Sequence, residues 1–461
     1  MTDTFWSARP VLRHVLALAR ARGVGPWAVL GTVMARGICT IPPTVALPGI
    51  VGGRMSLNLF VAAVGPSGGG KGAADAAAMA GIQFTGPAVG LVPLGSGEGI
   101  ARTFRPSGLA VGQPNSIDTA IFTAPEIDTL AAIAARQGST LSAELRKVYS
   151  GEALGFGNAG KDTRNIVAAG SYRASLILGV QPLRSQPLIG AADGGLPQRF
   201  IWMPTSDPDA PDEPPPDPGV RKIETPAWNR PNAGHLHVVT DGQDLAVPDV
   251  ARQAIRAHRL AVLREDPTVD PLDGHALLTR LKVAAALMTL DGRAIVDPTD
   301  WTLAGYVMDI STYTRERCKR ALIDQSRTHN TARALATADR DEIISERKLQ
   351  RCKDGIVRAL ARVAAGQCVP HNQLRRSLKS DVRDYFDSAA ADLIAEGHIS
   401  AARTAKGVMY GGPPVDQRST PPEQPKQAVD RQSTVDAYRI TRRSRQRNIR
   451  RHGQQHNEAR A

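Results

Sequence analysis

The distribution of apolar residues along the chain predicts helices first, then buried strands alternating with helices, then a long helical stretch. Residues 11–21 and 26–36 carry apolar side chains three and four positions apart, the spacing of an amphipathic helix. Residues 57–64, LNLFVAAV, form a short and almost wholly apolar run, which fits a strand buried on both faces. Two further runs, residues 119–123 and 174–180, follow with helical stretches between them. Buried strands alternating with helices imply an α/β core, a mostly parallel sheet covered on both sides. One more strand is expected over residues 235–240, and residues 248–321 read as nearly continuous helix.

The pattern breaks in three places. Residues 206–219, SDPDAPDEPPPDPG, suit neither a helix nor a central strand and are expected to be a linker or exposed loop. Beyond residue 412 the chain is rich in proline and glutamine and then in arginine, a composition too polar to fold alone. A softer break falls at residues 340–347. The expected organisation is a helical segment (1–56), an α/β core (57–205), an acidic linker (206–233), a helical lid (234–345), a winged helix (346–412) and a disordered basic tail (413–461).

Composition adds bounds. A chain of 461 residues accommodates two or three cores, and with aromatics at 4% their interiors must be built from Ala, Leu, Val and Ile. The formal charge of +13 points toward a polyanion such as nucleic acid, although a generally basic proteome gives the same figure. The four cysteines, Cys39, Cys318, Cys352 and Cys368, form no CxxC pair and no zinc-finger spacing. Without a signal-like start or an apolar run of membrane-spanning length, the expectation is a cytoplasmic, reduced protein with no membrane partner.

The clearest chemistry lies directly after the first buried strand. Gly65-Pro66-Ser67-Gly68-Gly69-Gly70-Lys71-Gly72 opens an alanine-rich stretch, giving the strand, glycine loop and helix order of a phosphate-binding P-loop. Glycines let backbone N–H groups converge on phosphate oxygens, and Lys71 adds a point charge. Gly65, Ser67, Gly68, Gly69, Gly70, Lys71 and Gly72 are therefore expected to hold the phosphates of ATP; a plain glycine-rich connector is the other reading. Gly72 stands where such loops usually carry the Ser or Thr that ligates Mg²⁺, so nucleotide binding is more secure than hydrolysis.

Further groups complete the candidate site. Glu126 is the first acid of the strand-then-acid run AIFTAPEID (residues 120–128) and is expected to act as general base on an attacking water, with an ordinary helix cap as the alternative. Pro125 replaces the acid that usually precedes it, which leaves Asp128 as the candidate metal ligand. Gln181 follows the strand SLILGV, where ligands meet open α/β sheets, and either senses the outer phosphate or satisfies local backbone. Arg199, in DGGLPQRF, either reaches a neighbouring subunit's nucleotide or pairs locally with Asp193. From the expected lid, Arg280 or Lys282 faces the nucleotide or forms part of a solvated surface.

In the order GPSGGGKG, IFTAPEID, LILGVQP and DGGLPQRF the chain resembles P-loop ATPases of uncharacterised function from phages, plasmids and integrated elements, relatives of RecA- and AAA+-type replicative helicases. The resemblance spans about residues 5–312. It implies an ATP- and Mg²⁺-dependent motor or loader in DNA replication, a ring-like homo-oligomer and a separate primase partner, since no primase domain is recognisable in this chain.

The C-terminal third reads as a DNA-binding winged helix, with helices over residues 356–363, 371–378 and 381–396 and a wing hairpin over 399–410 turning through Lys406-Gly407. Arg375, Arg376, Lys379 and Arg383 lie near the start of the third helix, with Arg403 and Lys406 on the wing; such folds also dock proteins. The arginines of the tail suit phosphate contact or simple solubility. The combined expectation is a helicase-like ATPase or helicase loader. The rivals are a DNA-binding initiator or regulator that holds nucleotide as a non-hydrolysed switch and, less compatible with the basic C-terminal third, a small-molecule kinase.

Overall fold

A computed structural model of the protein describes residues 2–86, 88–105, 117–137, 139–156, 165–191, 194–228, 242–269, 273–364, 366–405 and 407–413. The chain divides between Arg333 and Ala334 into two compact units.

The first unit is a mixed α/β structure around a five-stranded parallel sheet. Its strands are β1 (Leu59–Val64), β2 (Leu91–Pro93), β3 (Thr119–Ala124), β4 (Arg173–Val180) and β5 (Phe200–Pro204), in the spatial order β2-β3-β4-β1-β5. Every side chain of β1 is buried, and alternate residues serve different layers. Leu59 and Val61 enter the core formed with α1 (Pro10–Ala21) and α2 (Pro26–Ile38), whereas Phe60, Ala62 and Val64 enter the core on the other face. This two-sided burial explains why β1 and β4 read as unbroken apolar runs rather than alternating ones. The helices α3 (Lys71–Gly81), α4 (Gly97–Phe104), α5 (Ile127–Ala134) and α6 (Leu141–Ser150) fall between these strands in sequence.

Three parts of this unit differ from the sequence expectation. The acidic proline-rich run does not separate two bodies, because the same unit continues to Arg333. It is held against α1 by ion pairs Arg20–Asp207 at 2.9 Å and Arg22–Asp217 at 3.0 Å, and it leads into Arg221–Ile223, which pairs with Ile82–Phe84. After α7 (Asp249–Leu263), the helix α8 (Asp273–Leu290) does not cover the glycine loop as a lid. Residues 281–290 are all buried, α8 packs against α2, and Lys282 reaches the carbonyl of Asn58 beside the start of β1. A helix buried on every face loses the polar stripe expected of a surface helix. Finally, β2 was not anticipated: it is three residues long, at the sheet's edge and partly exposed, so it carries no long apolar signature. The strand expected over residues 235–240 lies outside the described residues.

The helix α9 (Pro298–Leu360) begins in the first unit and ends in the second, without a break at residues 340–347. Residues 323–344 bury nothing, so no core residue there disturbs or supports the helical pattern. In the second unit the end of α9 packs with α10 (His371–Ser377) and α11 (Phe386–Ala395) around Ile356, Leu374, Phe386 and Leu393. A three-stranded antiparallel sheet, β6 (Val369–Pro370), β7 (Ser400–Thr404) and β8 (Gly407–Gly411), completes it, with β8 central. The hairpin expected over residues 399–410 is thus present. The third helix is shorter than expected, because residues Ser380–Tyr385 form a 3₁₀ turn before Phe386. No helix among the described residues is long and apolar enough to cross a membrane.

Candidate functional site

The strand order places β1 inside the sheet, between β4 and β5, with its carboxyl end at the edge where the chain changes direction across the sheet. That edge of an open α/β sheet is where loops from several strands converge on a ligand. Here the loop leaving β1 runs from Gly65 to Gly70 and enters α3 at Lys71. Gly68 has φ +73° and Gly70 φ +78°, left-handed conformations that any side chain would strain.

Gly70 is the N-cap of α3 and offers no capping side chain. The first intrahelical bond is donated by the Ala74 amide to the Gly70 carbonyl, at 2.8 Å. The amides of Lys71, Gly72 and Ala73 therefore precede the helical ladder and are available to an anion. Lys71 folds back over the loop and donates from Nζ to the carbonyls of Gly65 at 3.1 Å and Pro66 at 2.9 Å. Partial burial pushes its pKa below the ordinary lysine value, opposed by the charge of Glu126. Ser67 is exposed. Gly72 has nothing within 4 Å of the position a Cβ would take, so packing does not require glycine there.

Glu126 and Gln181 reach the same edge from β3 and β4. The register sets Ala124 against Leu178 and Val64 against Val180, and the Gly65 amide donates to the Val180 carbonyl at 3.0 Å. Glu126 is exposed and is the N-cap of α5, although its side chain makes no capping bond. Gln181 is half-buried at the end of β4. The Asp128 carboxylate, the expected metal ligand, instead pairs with the Arg184 guanidinium. No cluster of three His, Cys, Asp or Glu residues suited to a metal occurs among the described residues. Arg184 was not singled out from the sequence, since one arginine in a polar turn carries no motif.

Arg199 lies at the opposite edge. It immediately precedes β5, whose first residue, Phe200, is in register with Phe60 near the start of β1. Its side chain is buried, donates to the Gly194 carbonyl at 2.7 Å and sits 5.7 Å from the Tyr149 ring centroid. It is not brought to the glycine loop, and Asp193 lies outside the described residues. Around it are other buried cations. Lys282 donates to the carbonyls of Asn58 at 2.8 Å and Tyr149 at 2.6 Å, with Nζ 3.4 Å from the Tyr149 ring centroid. Burial, together with Arg173 and Arg199, holds Lys282 well below the ordinary lysine range. Burial and the charges of Arg199 and Lys282 push His275 down to about 4. Arg280 stacks on Trp301 at 4.1 Å and donates to its carbonyl, so neither cation of the expected lid faces the loop.

In the second unit the predicted basic residues divide into two groups. Arg375 donates to the Arg383 carbonyl at 3.1 Å and pairs with Asp384 at 3.5 Å. Arg383 donates to the carbonyls of Leu378 at 3.0 Å and Arg376 at 2.9 Å. These two guanidinium groups brace the turn between α10 and α11. Arg376, Lys379 and Arg403 are exposed, and Lys406 lies outside the described residues. The helix α11 carries no basic residue; its polar side presents Asp387 and Asp392, followed by Glu396. Lys353 from α9 pairs with Asp392 and Glu396, each at 2.9 Å.

No protein-family model matches the chain, and no curated protein matches it.

Proposed function

We propose that the first unit is a P-loop nucleotide-binding core that takes ATP at the loop of Gly65 to Gly72, and that the chain works on DNA as a helicase-like ATPase or helicase loader. One observation carries the nucleotide reading. The loop between β1 and α3 joins two left-handed glycines, a helix start without a side-chain cap and the Lys71 ammonium at one edge of a parallel sheet. Backbone N–H groups and an ammonium converging on one point are the chemistry of phosphate recognition.

Glu126 is the group that would accept a proton from an attacking water, and Gln181 the amide that would orient it. Mg²⁺ would enter with the nucleotide and be held mainly by phosphate oxygens and water, because Gly72 offers no hydroxyl and Asp128 faces Arg184. The DNA surface is read as a winged helix in which Arg376, Lys379, Arg403 and Lys406 contact phosphates, aided by the arginines of the tail. The acidic polar side of α11 makes it unsuited to groove insertion. The working form is taken to be a homo-oligomer on DNA with a separate primase as partner. Arg199 is left out of the nucleotide contacts because it is buried within its own chain.

A second reading has specific support: Gly72 and the Asp128–Arg184 pair both subtract from a metal-dependent hydrolytic site, which favours a DNA-binding initiator or regulator with nucleotide as a switch. Phosphate release by the full chain, with Mg²⁺ and with or without single-stranded DNA, separates the two. The motor reading expects DNA-stimulated release that falls roughly 10²-fold in Glu126→Gln. Nucleotide binding without release under any of these conditions favours the switch.

A further inference from the structure

The carboxyl edge of the sheet carries an arginine that the function above does not use. Arg184 lies three residues beyond Gln181, in the 3₁₀ turn that follows β4, and its guanidinium pairs with Asp128 in the first turn of α5. Both partners are substantially exposed, at 59% and 43%. An ion pair in that setting contributes little to stability and opens at little cost. Its position is the informative feature. Asp128 is two residues from Glu126, whose charge acts on Lys71, and Val180, at the end of β4, accepts a hydrogen bond from the first amide of the glycine loop.

Two cations, Lys71 and Arg184, therefore stand at this edge with two carboxylates, Glu126 and Asp128. A nucleoside triphosphate brings several negative charges into that balance. Gly72 offers no hydroxyl to a metal and Pro125 offers no carboxylate before Glu126, so a larger share of the neutralisation falls on side-chain cations. Guanidinium binds phosphate through two parallel N–H groups and remains charged at all working pH values.

We infer that Arg184 is a triphosphate-sensing residue: it rests on Asp128 when the outer phosphate is absent and transfers to that phosphate when a triphosphate is bound. Asp128 then serves as its resting partner rather than as a metal ligand, and the turn carrying Gln181 shifts with it. This rests on the reading of the glycine loop as a phosphate site.

The test is equilibrium binding of ATP, a slowly hydrolysed triphosphate analogue and ADP, each with Mg²⁺, to the full chain. Wild type is compared with Arg184→Ala, Arg184→Lys, Asp128→Asn and Lys71→Ala. Arg184→Ala is expected to weaken both triphosphates about tenfold or more while leaving ADP nearly unchanged, and Arg184→Lys to recover part of the loss. Asp128→Asn frees the guanidinium and is expected to tighten triphosphate; a metal-ligand role would weaken it. An unchanged ratio of triphosphate to diphosphate affinity in Arg184→Ala, or weaker triphosphate binding in Asp128→Asn, overturns the assignment. The Lys71→Ala arm reads the phosphate site itself. Loss of all nucleotides there, with an unaltered ratio in Arg184→Ala, keeps the loop and discards Arg184.

Discussion

Pro125 crosses β4 directly over Gly179, so close that a Cβ at Gly179 would collide with the Pro125 carbonyl oxygen. The glycine lets the turn after β3 lie against β4 and sets Glu126 beside the end of the strand that carries Gln181. Gly179→Ala is expected to force this turn outward, lowering stability by about 1–3 kcal/mol, the cost of overpacking a tight contact. Denaturant unfolding of the full chain reads the loss, and Gly72→Ala serves as the control, because a Cβ there has open space. Equal stability of the two variants contradicts the argument.

Arg173 is wholly buried and donates to the carbonyls of Ile41, Pro42 and Val45 and to Ser56 and Asn58. It ties the segment before β1 to the start of β4, and burial pushes its pKa down to about 10. Arg173→Met removes the donor to the Ile41 and Val45 carbonyls and one of two donors at Pro42, Ser56 and Asn58, so an unfolding loss of about 3 kcal/mol or more is expected, with only partial recovery in Arg173→Lys. A loss below about 1 kcal/mol in Arg173→Met would show that water replaces the guanidinium.

His275 gives the first unit a pH dependence with a defined sign. It takes up a proton near 6.5 when unfolded but remains neutral down to about 4 in the folded protein. Between these values the unfolded chain binds more protons, so stability is full above 6.5 and declines as pH falls toward 4. His275→Gln removes this contribution, and its melting temperature is expected to vary less with pH across that window. Parallel profiles for variant and wild type sink the assignment.

DNA binding is expected to divide between the second unit and the tail. Each neutralised phosphate contributes roughly 0.9 to the slope of log affinity against log salt. Deleting residues 414–461 should flatten the slope and weaken binding to all sequences alike. The double change Arg376→Ala and Lys379→Ala should remove roughly two phosphate contacts' worth of slope. Charge-reversing Asp387→Arg on α11 should strengthen binding only if α11 faces DNA, and little effect is expected. A salt titration with duplex and single strands measures all three, and unchanged slopes in the first two would move the DNA surface to the first unit.

Much of the first unit is legible in the sequence because its strands are buried on both faces and its glycine loop has a fixed chemical signature. Leu59–Val64 and Arg173–Val180 had no competing pattern. What is harder to read is what tertiary packing decides. The helical reading of residues 248–321 does not foretell the burial of α8 on all sides, because its lysine finds backbone carbonyls and an aromatic ring within the core. Arg375 and Arg383 look like a basic patch in sequence, yet both are used on carbonyls of their own turn. Arg199 follows the apt spacing for a reaching arginine but is covered by Tyr149 and held by Gly194. Charge is visible in a sequence; its orientation depends on carbonyls that the chain leaves unpaired.

Whether the Gly65 to Gly72 loop binds nucleotide phosphates through Lys71 is decided by calorimetric titration of ATP into wild type and Lys71→Ala. Loss of a charged hydrogen-bonding group is expected to weaken binding by about tenfold or more, with the folded state of the variant checked by its unfolding transition. Equal ATP affinity in the two folded proteins, or no binding by wild type, would contradict it.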